Sequence, residues 1–108
     1  MNKDLELKRT EIYKKYHING MPNYARPKRK AIFFSPANSL EHELKKAEIC
    51  YNLQKEGCEF IVEAVDNKTG LRRDVVCLDT GLVYEIETDK KRAERFKGQT
   101  NVKVIQLW

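Results

Sequence analysis

The acidic side chains within residues 73–87 have the types and spacing that could do chemistry. Two apolar runs rich in β-branched residues flank a short Asp-Thr-Gly turn at 79–81, which predicts an antiparallel hairpin. Glu85 and Glu87 lie two residues apart, so on a strand both side chains project from one face. Asp74 lies on the partner strand. Three clustered carboxylates repel one another unless a cation or a bound proton compensates them, so we predict a divalent-metal site here.

The register of this hairpin decides whether the three carboxylates meet. A three-residue turn at 79–81 would leave Asp74 on the strand face opposite to Glu85 and Glu87, because side chains alternate along a strand. A four-residue loop at 79–82, or a bulge near Asp74, would bring all three onto one face. We expect one of these two arrangements.

The positive charge of the chain is concentrated near its N-terminus. Of the 108 residues, the first 30 contain nine Lys or Arg and three acids, whereas residues 31–108 contain twelve and thirteen. The length fits one domain, which we place at 31–108, after a basic N-terminal helix and arm at 1–30. Such an arm is typical of a segment that binds a polyanion, most simply nucleic acid, and a solvated tail without a partner is the alternative.

The cysteines and the apolar runs indicate the compartment. Cys50, Cys58 and Cys77 are odd in number, lie within apolar runs and match no zinc spacing, which favours reduced, buried thiols. The charged first residues predict no signal peptide, and no run approaches about 18 apolar residues. We expect a soluble cytoplasmic protein that does not contact a membrane, in the host cytoplasm if the chain is viral.

Two segments precede the predicted domain. Residues 4–17 place apolar side chains along one side of a helix, which Gly20 and Pro22 would stop. Residues 21–30 hold two prolines and four basic residues, which predicts an extended arm without a packed core. The basic residues of the arm, which we expect to contact nucleic acid, are Arg26, Lys28, Arg29 and Lys30.

The longest predicted helix covers residues 40–56. Ser39, or Asn38 with Glu41, caps its start, and Gly57 follows its end, where a left-handed residue is favoured. At about 100° per residue the helix has a broad apolar face. That face consists of Leu40, Leu44, Ala47, Cys50, Tyr51 and Leu53.

Three polar residues lie on or beside this apolar face. Glu43 falls near its middle, and a carboxylate there is either functional or placed where the helix rim opens to water and the N-terminal dipole tolerates it. His42 and Lys46 lie one turn apart and flank the same face. A pair at this spacing is most often a solvated rim, so by itself it favours no function.

A strand is predicted after this helix, at residues 58–65. Phe60, Val62 and Ala64 should share one face, and Glu63 should lie on the other.

The predicted hairpin is followed by two further elements. A helix over 90–97 is amphipathic, and a last strand runs over 101–107. The apolar pair at 104–105 predicts burial on both faces of that strand, as expected when a parallel crossover precedes it. The predicted order from residue 40 is therefore αβββαβ.

Residues 39–107, with these acids on these elements, resemble the PD-(D/E)XK nuclease superfamily. Its core is an αβββαβ sandwich with an acid on the first helix, an Asp on the second strand and an acid-x-Lys pair on the third. The resemblance implies a restriction-endonuclease-like α/β (α+β) fold whose mixed four-stranded sheet is flanked by helices. The chain is most similar to small archaeal-virus nucleases and to the nuclease domain of competence-type CoiA proteins in Glu41–His42, Lys46, Leu53, Gly57, Glu63, Arg73–Asp74 and Glu85-x-Glu87.

The resemblance assigns roles to individual residues. Asp74 and Glu85 match the metal-binding acids, and Glu87 stands where the superfamily commonly has Lys. Glu43 is our choice for the helix acid and a third metal ligand, because of the side on which it lies. The secondary candidates are Glu41, His42 and Glu63.

The implied activity is hydrolysis of phosphodiester bonds in DNA, most simply by an endonuclease that uses Mg²⁺ or Mn²⁺. Ions held by Asp74 and Glu85 would polarise the phosphate and lower the pKa of a bound water. Glu87 cannot supply the positive charge of the usual Lys, but an extra carboxylate can bind metal or act as a base. Lys46 and Arg73 are the expected phosphate contacts.

Two other functions remain open at the level of sequence. The chain could be a degraded nuclease fold that binds DNA without cutting it, or an interaction protein whose acids form a solvated sheet face. Metal-dependent cleavage separates the nuclease from both, and salt-dependent DNA binding separates the other two. A homodimer is compatible with the nuclease, because small nucleases that cut both strands usually pair their sites.

Overall fold

The computed structural model describes residues 3–107. The helices are α1 (Lys3–Tyr13), α2 (Leu40–Lys55) and α3 (Lys90–Ala93), and a 3₁₀ turn at Glu94–Phe96 continues α3. The strands are β1 (Tyr16–Ile18), β2 (Phe60–Asp66), β3 (Arg72–Cys77), β4 (Val83–Glu87) and β5 (Val102–Gln106). Within residues 3–107, no helix has the length and apolar character needed to cross a membrane.

The five strands form one mixed sheet in the spatial order β1-β2-β3-β4-β5. The pairs β1–β2, β2–β3 and β3–β4 are antiparallel, whereas β5 is parallel to β4. A parallel neighbour needs a crossover connection, which α3 and the 3₁₀ turn supply. The predicted α+β class and the parallel last strand are confirmed, but the prediction of a four-stranded sheet is wrong.

The fifth strand comes from the segment predicted as the end of the first helix. Helix α1 stops at Tyr13, and the three residues of β1 pair antiparallel with Ala64–Asp66 of β2. Tyr16 is buried in the core. Pairing covers an otherwise open edge of β2 and buries Tyr16, and these tertiary gains outweigh the weak local preference for helix.

Apolar residues of the described chain cover both faces of the sheet. On the α1 side, Ile12 and Tyr13 pack against a cluster made of Tyr16, Ile61, Ala64, Val76, Leu78 and Val83. The cluster on the α2 side is made of Cys50, Leu53, Phe60, Val62, Val75 and Cys77.

Strand β2 changes faces at Glu63. Val62 belongs to the α2-side cluster and Ala64 to the α1-side cluster, although strict alternation would place them together. Glu63 lies between them with a φ of 50°, in the left-handed region that is unusual for a residue with a Cβ. The prediction that Phe60, Val62 and Ala64 share one face is therefore wrong at Ala64.

Helix α2 confirms its predicted bounds, and its predicted face is confirmed at Cys50 and Leu53 but wrong at other positions. The Ser39 side chain accepts the His42 N–H at the start of the helix, and Gly57 follows the end with a φ of 82°. The buried residues of the helix are His42, Glu43, Lys46, Cys50 and Leu53, whereas Leu40, Leu44 and Tyr51 are exposed. The hydrophobic pattern misplaced the face because the first turns bury charged side chains that pair with one another.

Strand β5 lies at an edge of the sheet. Val104 and Ile105 are only partly buried, so the prediction of burial on both faces is wrong. The reason is that β5 pairs with β4 alone. The predicted helix over 90–97 is also shorter than expected, because only Lys90–Ala93 is α-helical and a 3₁₀ turn completes the segment.

Candidate active site

Two carboxylates of the central hairpin, Asp74 and Glu85, lie next to each other. Val75 of β3 lies opposite Tyr84 of β4, and the paired residues of the two strands end there. Residues 78–82 connect the strands, and the Cys77 N–H donates to the Leu82 carbonyl at 2.9 Å, so the turn differs from the 79–82 loop that was one of our two expectations. Val75 packs on the α2 side, and the Asp74 carboxylate also lies on that side, 3.4 Å from His42. Because neighbours on a regular strand point to opposite faces, the alternation of β3 is interrupted near Asp74, where our other expectation placed a bulge.

Regular pairing between β3 and β4 ends where these carboxylates begin. The Asp74 N–H donates to Glu85 Oε1 at 3.2 Å, and the Ile86 N–H donates to Asp74 Oδ2 at 2.8 Å. Side-chain oxygens thus replace carbonyl oxygens as partners of the buried amides. The two carboxylates are held in place by the backbone of the facing strand.

The carboxylates line a cleft of about 450 Å³, which we call the carboxylate cleft. Its acidic lining residues are Glu41, Asp74, Glu85 and Glu87, and its basic ones are Arg72, Arg92 and Arg95. The other lining residues are Ala37, Asn38, Ser39, His42, Ile86 and Thr88. One opening is therefore lined by four parts of the fold, namely the N-terminus of α2, the start of β3, the end of β4 and the crossover that follows β4.

Glu85 is the most strongly perturbed carboxyl group of the cleft. It is 4% exposed, and burial together with the charge of Asp74 raises the pKa of Glu85 to about 8. Near neutral pH the side chain therefore holds a proton in much of the population. A positive charge beside Glu85 and Asp74 would offset both the burial of Glu85 and its repulsion by Asp74, and would lower the pKa of Glu85.

Among residues 3–107, Glu87 has one basic partner, Arg95. Arg95 Nη2 lies 3.5 Å from Glu87 Oε1, and the Arg95 side chain is 63% exposed. An ion pair with such an exposed partner is weak. Glu87 is thus only loosely neutralised and is open to a different cation.

His42 connects the site to helix α2. Its Nε2 lies 3.4 Å from Asp74 Oδ1, and its Nδ1 lies 3.2 Å from Glu43 Oε1. The hydrogen bond to Asp74, followed by the negative charge of that carboxylate, raises the pKa of His42. The imidazole is therefore placed between two carboxylates, one on the hairpin and one on the helix.

Glu43, predicted as the helix acid, does not line the cleft. It accepts hydrogen bonds from Asn38 Nδ2 at 2.8 Å and from the Ser35 N–H at 3.2 Å, and Lys46 Nζ lies 2.6 Å away. Burial disfavours the charge of Glu43, but these groups outweigh it and lower the pKa of Glu43. Glu41, the secondary candidate, is exposed and lines the cleft instead.

Lys46 and Arg73, predicted as phosphate contacts, are buried. Lys46 lies against Glu43, and Arg73 packs on the ring of Phe96, with its Nη2 donating to Gln99 Oε1 at 3.4 Å. Neither lines the carboxylate cleft. The structure thus separates both from the surface that a phosphate would reach.

Glu63, the remaining secondary candidate, is buried next to the site. Burial raises the pKa of Glu63, and its Oε2 has no hydrogen-bond partner among the described residues. Arg72 Nη1 lies 3.9 Å from Glu63 Oε1. Glu63 therefore lies behind Arg72 and does not line the cleft itself.

The basic arm lies on the body of the domain. Arg29 pairs with Glu6 and Glu59, and Arg26 donates to the backbone carbonyls of Asn23 and Lys14. Lys28 and Lys30 are exposed. Half of the predicted nucleic-acid contacts in the arm are thus occupied within the chain.

A second cluster of possible metal ligands lies outside the cleft. Among residues 3–107, Cys58, Cys77 and Asp79 are the three His, Cys, Asp or Glu side chains whose ligand atoms all lie within 4.8 Å of one another. Asp79 is already bound to Arg9 at 2.8 Å and 3.0 Å. Burial, with the neighbouring Cys77, raises the pKa of Cys58 to about 11. Thiol ligands and an occupied carboxylate do not suit Mg²⁺, which prefers free oxygen ligands.

Arg72, Arg92 and Arg95 of the cleft were missed from the sequence. A signal was present, because five basic residues occur within 90–97, directly after the Glu-x-Glu pair.

Comparisons of the chain with protein-family models, with curated proteins and with solved structures found no match.

Proposed function

We propose that this chain is a Mg²⁺- or Mn²⁺-dependent nuclease that hydrolyses phosphodiester bonds in DNA. The observation that carries the proposal is the placement of Asp74 beside Glu85, whose Oε1 accepts the Asp74 N–H, in a cleft that Glu87 also lines. The order αβββαβ from α2 to β5 supports a restriction-endonuclease-like core, on which acids at these positions form the active site.

The donor atoms of the cleft fit a hard divalent cation. Carboxylate oxygens are the ligands that Mg²⁺ prefers, and it commonly takes only one or two carboxylates together with water and substrate phosphate oxygens. Asp74 and Glu85 would be those two ligands. Glu43, predicted as a third, is turned towards Lys46, so the acid of the helix that could reach the cleft is Glu41.

A bound Mg²⁺ or Mn²⁺ would polarise the scissile phosphate and lower the pKa of a water molecule. The residues of the chain would supply the remaining steps. Glu87 would accept the proton of the attacking water, because its carboxylate lines the cleft and has only the weak partner Arg95. Arg72 and Arg92 would place the phosphodiester by contacting its charged oxygens.

A plasmid-nicking assay with Mg²⁺, Mn²⁺ or EDTA tests the proposal. The purified wild type should nick only with metal, and Asp74→Asn and Glu85→Gln should each abolish nicking while the fold is retained. Both variants keep acceptors for the backbone amides that these carboxylates bind, so circular dichroism should be unchanged. Wild-type nicking by either variant would contradict the assignment of the site.

A DNA-binding protein without catalysis is the second candidate. The observation in its favour is that Glu87 stands where the superfamily commonly has Lys, and that no Lys is among the residues that line the cleft. The Glu87 carboxylate instead lies 3.5 Å from Arg95. Salt-dependent DNA binding without cleavage at any Mg²⁺ or Mn²⁺ concentration would select this candidate.

Pairing of two copies is part of the nuclease proposal if both strands of a duplex are cut. A single carboxylate cleft holds one scissile phosphate at a time. Light scattering after size exclusion, with and without duplex DNA, would show whether the active species is a homodimer.

A further inference from the structure

The crossover between β4 and β5 carries a dense run of exposed positive charge. Residues 90–97, which we call the basic crossover, contain α3 and the 3₁₀ turn and carry a single acid, Glu94. Five of these eight residues are exposed basic side chains, namely Lys90, Lys91, Arg92, Arg95 and Lys97. Other exposed basic residues are more widely spaced along the chain, and Arg9 and Arg29 are engaged by acids.

The basic crossover borders the carboxylate cleft. Arg92 and Arg95 belong to both, and Arg72 of β3 lines the cleft as well. The crossover begins at Lys90, three residues after Glu87, and Asp89 caps α3 by accepting the Lys91 N–H at 2.8 Å. A bound phosphodiester strand could therefore contact the guanidinium groups and the carboxylates together.

Arg95 is oriented before any ligand binds. Its guanidinium carbon lies 5.3 Å from the centre of the Phe96 ring, and its Nε donates to the Arg92 carbonyl at 3.3 Å. A planar guanidinium that is already stacked loses less freedom when it binds a phosphate. Its 3.5 Å contact with Glu87 could be exchanged for a phosphate oxygen, because the Arg95 side chain is 63% exposed and the contact is long.

The basic crossover offers charge but no exposed aromatic ring. Phe96 is its one aromatic residue and is buried. Proteins that bind single strands stack bases on exposed aromatic rings, whereas duplex binding without base readout relies on Lys and Arg contacts to phosphates. The segment is about 12 Å long, which covers roughly three base-pair steps. These features favour a duplex.

We infer that the basic crossover, together with Arg72, binds the phosphate backbone of double-stranded DNA and leads it to the carboxylate cleft. The inference rests on the proposed function for the role of the cleft. Binding itself does not require cleavage, so the two can be tested separately.

Fluorescence anisotropy in EDTA, with a labelled duplex of about 20 base pairs, roughly two helical turns, is the direct test. Replacing Lys91, Arg92 and Lys97 by Gln should weaken duplex binding by about tenfold or more. A plot of log affinity against log salt should become less steep, with the magnitude of its slope lower by about two to three. The reason is that binding releases about one counterion fewer for each phosphate contact that is lost. The same strand unpaired should bind the wild type less tightly than the duplex.

The matched control replaces Lys55, Lys68 and Lys103 by Gln. These residues are exposed, do not line the cleft, and give the same change in net charge. The control should bind the duplex within about twofold of wild type. Equal weakening in both variants would mean that only net charge matters and would overturn the inference, as would a wild type that prefers the single strand or binds neither.

The two proposals fail in different ways. Unchanged duplex affinity in the triple variant of the basic crossover, combined with metal-dependent nicking by the wild type, would overturn the inference and leave the nuclease standing. The reverse result would be lost duplex affinity in that variant, combined with no nicking by the wild type at any metal concentration. It would support the inference and contradict the nuclease.

Discussion

His42 Nε2 lies 3.4 Å from Asp74 Oδ1, and this contact joins the first turn of α2 to the carboxylate hairpin. A neighbour that holds a metal-ligating carboxylate in place is commonly worth 10–100-fold in metal affinity. We therefore expect His42→Ala to raise the Mn²⁺ concentration needed for half-maximal cleavage by about tenfold or more. The measurement is a Mn²⁺ titration of single-turnover cleavage.

The other histidine provides the control for this prediction. His17 lies in β1, bonded to Asn67, and does not line the cleft. His17→Ala should leave the Mn²⁺ dependence unchanged. If both histidine variants shift the Mn²⁺ dependence equally, the effect is a general loss of stability and His42 has no special role.

The pKa of Glu85 predicts how stability depends on pH in the absence of metal. The pKa is raised by burial and by Asp74 from its ordinary 4.5 to about 8, so between these values the folded state binds more protons than the unfolded state. The free energy of unfolding should therefore fall as pH rises from about 4.5 to 8, with a contribution of at most about 1.4 kcal/mol per pH unit. Urea denaturation of the wild type and Glu85→Gln, at several pH values in EDTA, measures the difference.

Glu85→Gln should remove this contribution and unfold at higher urea than the wild type at pH 8. Glu48→Gln is the control, because Glu48 is an exposed carboxylate on α2. It should keep the pH dependence of the wild type. A pH profile of Glu85→Gln that parallels that of the wild type would show that Glu85 ionises normally in the folded state.

The hairpin and helix α2 could be predicted from the sequence because local signals decide them. The turn residues and β-branched runs specify β3 and β4, and the cap at Ser39 and the glycine at 57 specify the ends of α2. The placement of Asp74 beside Glu85 needed one further fact, the interruption of strand alternation near Asp74, because Val75 and Asp74 both lie on the α2 side. Turn composition alone does not specify that interruption.

The burial of His42 and Lys46 on α2 could not be predicted from the apolar pattern, because tertiary charge pairing decides it. Lys46 is fully buried beside Glu43, whereas an amphipathic pattern assumes that charged residues face water. The switch of faces at Glu63 is likewise invisible to alternation, since it depends on a single left-handed residue. The same applies to the basic residues near the site, because the tertiary fold decides which of them are buried. It buries Lys46 and Arg73, which we predicted as phosphate contacts, and leaves other basic residues accessible in the cleft.

Arg9 is predicted to stabilise the fold by anchoring α1 to the segment that precedes β2 and to the loop between β3 and β4. Its guanidinium donates to Asp79, to Glu59 and to the Gly57 carbonyl, and the residue is 8% exposed. Arg9→Gln removes the guanidinium partner of the Asp79 carboxylate, so it should cost about 2–4 kcal/mol of unfolding free energy. Urea denaturation measures it.

Lys15→Gln is the control for the Arg9 variant. Lys15 is exposed, directly after α1, and its replacement should change the unfolding free energy by less than about 0.5 kcal/mol. A loss as small in Arg9→Gln would mean that the contacts of Arg9 make no net contribution.

Glu87 decides between a working nuclease and a degraded one. If its carboxylate serves as base or metal ligand, Glu87→Gln should lower single-turnover cleavage by on the order of 100-fold, because the amide keeps the shape but loses the charge and the basicity. Glu87→Lys restores the commoner superfamily residue, yet it places an ammonium group in a cleft already lined by Arg72, Arg92 and Arg95. We therefore expect it to lower metal affinity without improving the rate.

The measurement for Glu87 is single-turnover cleavage of plasmid DNA across a series of Mn²⁺ concentrations. Glu94→Gln is the matched control, because Glu94 is an exposed carboxylate of the same crossover region that does not line the cleft. The control should cut like the wild type at every Mn²⁺ concentration, since its carboxylate has no access to the scissile phosphate. If Glu87→Gln also cuts like the wild type throughout the series, Glu87 is a bystander and the attacking water must lose its proton to another group of the cleft.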